Sequence, residues 1–135
     1  MTLDDWIMAL HILSAFALGA AIVVLWSGYL VLEPQGAPSA ALGRLFKFGA
    51  IIVGIGTTGT LVFGVWLAIS LDAYEPWDGW VIAALVLWLI GSGTGGRAGT
   101  LSQEPGRLRQ AMVMHAISTL AGALILIDML WKPGA

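Results

Sequence analysis

Apolar residues fill four long segments of the chain, and short polar or glycine-rich stretches separate these segments. None of the segments alternates apolar and polar residues with a period of two, so β-strands are not expected. A helix needs about 20 mainly apolar residues to cross roughly 30 Å of hydrocarbon. We therefore predict transmembrane helices over residues 6–32, 45–71, 79–91 and 111–131.

The composition agrees with a membrane protein. Of the 135 residues, 59% are hydrophobic and only 10% are charged, whereas soluble domains carry about 25% charged residues. The net charge of −2 and the scattered basic residues argue against a nucleic-acid partner. Cysteine is absent from the sequence, which excludes disulfides and a cysteine nucleophile. We predict an all-α fold, a single transmembrane domain over residues 1–135 in which four helices form an up-down-up-down bundle.

Charged residues are distributed unevenly between the two predicted sides of the membrane. The first and third loops carry the basic residues Arg44, Lys47, Arg97, Arg107 and Arg109. The other side carries Lys132 together with the acidic residues Asp4, Asp5, Asp72, Glu75 and Asp78. An interfacial belt of Trp6, Trp77, Trp80 and Trp131 is expected on that second side. Because basic loops favour the cytoplasm, we predict a bacterial plasma-membrane protein with both termini outside and loops 1 and 3 in the cytoplasm.

Small residues are concentrated in the second segment, at spacings that let helices approach closely. The residues expected to pack helices are Gly54, Gly56, Gly59, Gly64 and, in the fourth segment, Gly122. Helices in lipid associate through close packing and interhelical hydrogen bonds. One interpretation is that these small faces hold the four-helix bundle together. The other is that they outnumber what four helices need, and that one of them binds another membrane subunit or a second copy.

Three ionisable residues at predicted membrane depth are candidates for function: His11, His115 and Asp128. Two histidines on different helices suggest a haem held between two imidazoles. A rise of 1.5 Å per residue places His11 about 12 Å outward of the middle of its span and His115 about 8 Å inward. The resulting separation of roughly 20 Å along the membrane normal argues against a shared haem.

Asp128 is expected at the same depth as His11, about 12 Å outward of the middle of its span. A carboxylate that orients an imidazole is common in metal sites and proton relays. One hypothesis therefore pairs Asp128 with His11 and makes His11 a metal ligand. In the alternative, Asp128 is hydrated or paired with Lys132, and His11 hydrogen-bonds a backbone carbonyl.

Two local motifs have competing interpretations. Met112 and Met114 lie close to His115, which indicates either a packed histidine or a copper(I) site of soft ligands. The glycines after residue 90 match the dinucleotide-binding fingerprint in their spacing, but that motif functions only between a strand and a helix. We interpret the segment from Gly91 to Gly106 as a flexible loop.

Two sequence motifs resemble a known group of proteins. The first segment begins Trp6-Ile-Met-Ala-Leu-His11-Ile-Leu-Ser14, and the second ends Gly64-Val-Trp-Leu-Ala68. In a four-span chain of this size, both are similar to the CopD-like (copper-resistance D) group and related four-span bacterial membrane proteins of unknown function. The resemblance implies a link to copper handling or membrane redox proteins, with copper or haem as candidate cofactors.

Two functions are compatible with these residues. The first is a small accessory or structural subunit of a larger bacterial membrane complex, for example a respiratory complex. It is favoured because no catalytic constellation is recognisable and the chain has almost no soluble loops. The second is an autonomous membrane protein that handles copper, haem or a proton near the outer face through His11 and Asp128.

Overall fold

The structure is a computed structural model that describes residues 2–35, 40–71, 75 and 77–132. This part of the chain is helical and contains no strand. The elements are α1 (Leu3–Gln35), α2 (Ala40–Ser70), α3 (Gly79–Leu101) and α4 (Leu108–Trp131). All four are long and apolar enough to cross a membrane, which confirms an all-α fold with four candidate transmembrane helices. Large apolar side chains stay exposed along each helix, as surfaces that face lipid require.

The ends of α1, α2 and α4 lie within a few residues of the predicted spans. α1 begins at a capping box in which the Thr2 N–H donates to Asp5 Oδ2 at 2.6 Å and the Asp5 N–H donates to Thr2 Oγ1 at 3.3 Å. α2 begins at Ala40 rather than at residue 45, because alanine and leucine at its start have high helix propensity. Asp72 and Pro133 lie outside the described residues.

The glycine-rich segment after residue 90 is helical. The predicted flexible loop from Gly91 to Gly106 is therefore wrong for most of its length, since α3 continues to Leu101. Glycine inside a helix costs about 1 kcal/mol relative to alanine. This cost is offset by close packing against α4, where Gly91 and Gly95 leave room for the neighbouring helix.

Residues Met1–Phe63 form the first of two compact units, in which α1 packs against α2. A Cβ atom added to each of four glycines would meet a residue of the other helix at about van der Waals distance or closer. The pairs are Gly28 with Phe46, Gly49 with Leu25, Gly56 with Leu18, and Gly59 with Ser14. Residue numbers rise on one helix while they fall on the other, so α1 and α2 run antiparallel.

An aromatic cluster fills one end of this helix pair. The Tyr29 side chain is only 2% exposed. Its ring centroid lies 5.0 Å from that of Phe46 and 6.3 Å from that of Trp26, the latter in an edge-to-face arrangement. Gly28 makes this possible, because a Cβ there would lie 3.0 Å from the Phe46 ring.

Residues Gly64–Ala135 form the second unit, in which α3 and α4 pack antiparallel. The Ser118 hydroxyl donates a hydrogen bond of 2.8 Å across the helix interface to the carbonyl oxygen of Gly91. A Cβ at Gly95 would lie 3.0 Å from the same Ser118 oxygen. At the other end of the pair, the Lys132 ammonium lies over the Trp80 ring, 5.6 Å from its centroid. Trp80 is buried, unlike the exposed Trp77 and Trp131, which the sequence groups with it in an interfacial belt.

Candidate functional site

His11 lies on the face of α1 that packs against α2. Its imidazole interacts with the backbone of Thr60, and the Nδ1 atom is buried without a hydrogen-bond partner among the described residues. Ser14, one turn further on, donates its hydroxyl to the Leu10 carbonyl at 2.8 Å and packs against Gly59. The imidazole is thus held between two helices and keeps one ring nitrogen unused.

Asp128 lies in the last turn of α4, where its backbone carbonyl accepts a 2.7 Å hydrogen bond from the Lys132 N–H. Its side-chain atom Oδ2 is buried and accepts no hydrogen bond from any described residue. The Lys132 ammonium group lies over Trp80. Like His11, Asp128 therefore presents a buried polar atom whose bonding capacity is unused. The pairing of Asp128 with His11 stays a prediction from their sequence positions.

His115 occupies a different depth from Asp128 on the same helix. The two residues are separated along α4 by about 20 Å at a rise of 1.5 Å per residue. His115 is 4% exposed, and its carbonyl accepts a 2.8 Å hydrogen bond from the Thr119 hydroxyl. It is a buried histidine of the α3–α4 unit and does not share a site with Asp128.

A copper centre of the kind that the resemblance implies requires several ligands that converge on one point. Among the residues that the structure describes, no group of three or more His, Cys, Asp or Glu side chains is placed to hold a metal ion. His11 and Asp128 each supply one donor atom, which falls short of the usual three or four protein ligands. The assignment of His11 as a metal ligand therefore stays a prediction from the sequence.

The glycines expected to pack helices divide into two groups. Gly56 and Gly59 face α1, and a Cβ at Gly56 would lie 2.9 Å from the Leu18 nitrogen and from the Ser14 carbonyl oxygen. A Cβ at Gly54 or Gly122 would meet no atom within 4 Å. Gly64 is half-buried. On α2, Gly56 and Gly59 thus face α1, whereas Gly54 lies at a position with space around it.

Residues Ala50, Gly54 and Thr58 define a strip along the exposed side of α2, and all three are exposed. Their spacing of four residues places them on one face of the helix. The flanking Ile51 and Ile55 are 51% and 62% exposed. We name this set of three residues the outer strip. At these small residues another helix backbone can approach closely.

Sequence reasoning missed one arginine-lined region, in which Arg97, Arg107 and Arg109 all border a single cavity. The sequence predicts all three in one loop, whereas Arg97 is on α3 and Arg109 is on α4. The sequence signal for this region is the four-residue spacing of Arg97 and Leu101, which places both side chains on one face if the segment is helical.

Comparisons of the chain with known protein families, with curated proteins and with solved structures find no significant match.

Proposed function

We propose that the protein is a small accessory subunit of a larger bacterial membrane complex, for example a respiratory complex. The observation that carries this proposal is the outer strip of α2, where Gly54 would meet no atom within 4 Å even with an added Cβ. Helices in lipid gain little from burying apolar side chains, because lipid tails are equally apolar. Their association is instead stabilised by close approach of the helix backbones at small residues. An exposed strip of small residues is therefore suited to receive a helix of another protein.

The proposal is strengthened by the contrast between the two faces of α2. On the face towards α1, Gly49 and Gly56 already support an interhelical interface. The outer strip repeats the same kind of surface on an exposed side of the helix. The chain's own helix pair uses the first face, which leaves the outer strip available to a partner.

We further propose that both termini face outward from the cytoplasm across a bacterial plasma membrane, with an up-down-up-down course. The support is the excess of basic residues at the helix ends next to the α1–α2 and α3–α4 connections, where Arg44, Arg97 and Arg109 are exposed. Trp6, Trp77 and Trp131, at the other helix ends, are exposed as interfacial residues should be. The chain has no cysteine, so a single cysteine introduced at Ser102 should react with an impermeant maleimide only from the cytoplasmic side. Reaction from the outside would show that the orientation is the opposite of the one proposed.

The accessory function is tested by purifying a tagged full-length chain from its native membrane in mild detergent. We expect other membrane proteins to co-purify in stoichiometric amounts, as identified by mass spectrometry. Gly54→Leu should lose them without unfolding, because the new side chain fills the outer strip and meets no atom of its own chain. The matched control is Ile55→Leu on the same helix, which should retain them. A chain that purifies alone, or partners that are retained in Gly54→Leu, would contradict the proposal.

A second candidate function is proton handling by an autonomous protein through His11 and Asp128. It is favoured because His11 Nδ1 and Asp128 Oδ2 are each buried without a hydrogen-bond partner among the described residues. Such an atom costs about 1–3 kcal/mol, and ionisable groups at membrane depth are commonly functional. A CopD-like relationship, based on the sequence around His11, belongs to this alternative. If the chain purifies alone, proton uptake by vesicles containing wild type, His11→Ala or Asp128→Asn tests it, and equal uptake by all three refutes it.

A further inference from the structure

A cavity of about 580 Å³ lies between the end of α3 and the start of α4. Three arginines line it, namely Arg97, Arg107 and Arg109, together with the amide side chain of Gln110. No carboxylate is among the lining residues. Arginine presents several N–H donors in a planar fork that matches the oxygens of a phosphate or carboxylate group. The cavity is therefore suited to an anion.

The connection between α3 and α4, which contains Arg107, is an ordered turn. The Glu104 N–H donates to the Leu101 carbonyl at 3.1 Å, and the Arg107 N–H donates to the Glu104 carbonyl at 3.2 Å. Gly106 has φ of +76°, a left-handed conformation that favours glycine and turns the chain into α4. Arg97 and Arg109 are thereby brought to the same cavity from the two different helices.

The charges at this end of the unit are only partly compensated. Arg107 Nη1 forms an ion pair of 2.8 Å with Glu104 Oε2. Arg97 and Arg109 make no ion pair with any described residue. Three arginines against one glutamate leave a net charge of +2 around the cavity. Two guanidinium groups are therefore free to bind an anion from outside the chain.

The start of α4 adds to this positive potential. Its N-cap residue Arg107 provides no side-chain cap. The first N–H groups of a helix have no acceptor within the helix, and the helix dipole places partial positive charge there. Arg109 and Gln110, in this first turn, both line the cavity. The start of α4 thus adds positive potential to the cavity that the arginines line.

The remaining wall of the cavity is apolar. Leu101, Val113 and Met114 line it, and Val113 is 50% exposed on the side of α4. A free phosphate ion would use only the arginines, whereas a lipid would also place its acyl chain along this apolar wall. Anionic lipids are also recognised by basic pockets between transmembrane helices.

We propose that this cavity binds the phosphate group of an anionic membrane lipid. Arg97 and Arg109 bind the phosphate oxygens, Arg107 adds charge while tied to Glu104, and the acyl chain lies along Val113 and Met114. The cavity shares no residue with the outer strip, so variants at the two places test the two proposals individually.

The test uses the full-length protein in micelles to which phosphatidylglycerol or phosphatidylcholine is added, with bound lipid counted by native mass spectrometry. Wild type should bind phosphatidylglycerol at least tenfold more tightly than phosphatidylcholine. Arg97→Gln and Arg109→Gln should each weaken that binding about tenfold, the usual effect of losing a charge-assisted hydrogen bond. The matched control Arg44→Gln removes an exposed arginine of α2 that does not line the cavity, and it should bind like wild type.

Far-UV circular dichroism and tryptophan fluorescence check that each variant is folded, as expected from the exposure of Arg97 and Arg109. Unchanged binding in folded Arg97→Gln and Arg109→Gln would overturn the proposal. An equal loss in Arg44→Gln would also overturn it, because binding would then follow overall charge. A separate arm adds inorganic phosphate alone at millimolar concentration. Phosphate that binds tightly at these arginines, without a preference for phosphatidylglycerol, would assign the site to a soluble anion and refute the lipid.

Discussion

Replacing Gly56 by leucine is expected to disrupt the packing of α1 against α2 and to lower the free energy of unfolding by about 3 kcal/mol. Even the first added atom, a Cβ, would lie 2.9 Å from the Leu18 nitrogen and 2.9 Å from the Ser14 carbonyl oxygen. Both of these atoms belong to the backbone of α1, so no change of rotamer relieves the overlap. The helices must move apart, and the close van der Waals contact that holds helices together in lipid is lost.

The matched control for this prediction is Gly54→Leu, two residues earlier on the same helix. A Cβ at Gly54 would meet no atom within 4 Å, so its free energy of unfolding should change by less than about 0.5 kcal/mol. Both are measured by unfolding in mixed micelles with increasing dodecyl sulfate, followed by tryptophan fluorescence. Equal losses of stability in the two variants would show that glycine itself, rather than the approach of α1, determines the effect. Because Gly54→Leu also tests partner binding, this pair of variants separates folding from association.

Tyr29→Ala is expected to have the second large effect and to lower the free energy of unfolding by about 2–3 kcal/mol. The tyrosine ring is 2% exposed and packs against the rings of Phe46 and Trp26. In water, such a truncation costs both transfer free energy and the energy of the cavity that remains. In lipid the transfer contribution is small, because the surroundings are equally apolar. The expected loss is therefore mainly the cavity and the ring contacts, which places it below the largest values seen in soluble proteins.

Phe16→Ala provides the control for Tyr29→Ala, since the Phe16 side chain is 76% exposed on the same helix. Its free energy of unfolding should stay within about 0.5 kcal/mol of the wild type. The same titration measures both variants. If Phe16→Ala costs as much as Tyr29→Ala, contact with the surrounding lipid or detergent outweighs packing inside the helix pair, and the aromatic cluster is not a main source of its stability.

The four helices could be predicted from the sequence because runs of apolar residues of this length leave few alternatives. The end of α3 could not. Glycines have low helix propensity, and at Gly91 and Gly95 the compensation comes from residues of α4 that are distant in sequence. The hydroxyl of Ser118, for instance, binds the Gly91 carbonyl at 2.8 Å. Local propensity contains no information about such a contact.

The same error concealed the arginine-lined cavity. A segment interpreted as a loop gives Arg97 no fixed direction, whereas a helix to Leu101 places it beside the first turn of α4. His11 and Asp128 could be selected from the sequence, because ionisable residues within apolar runs are rare. The surroundings of each residue could not be predicted, because the contact of His11 with the backbone of Thr60 depends on the register of α1 against α2.

The different neighbours of the glycines on α2 also have an evolutionary consequence. At Gly56 an added Cβ would meet backbone, which cannot adapt, so substitutions there should be removed by selection in any related chain. At Gly49 it would meet the end of the flexible Leu25 side chain at 2.8 Å, so alanine should be accepted when residue 25 becomes smaller in compensation. Gly54 has no such neighbour within its own chain. Under the proposed accessory function, its drift to larger residues in some lineages would mark those that have lost the proposed partner.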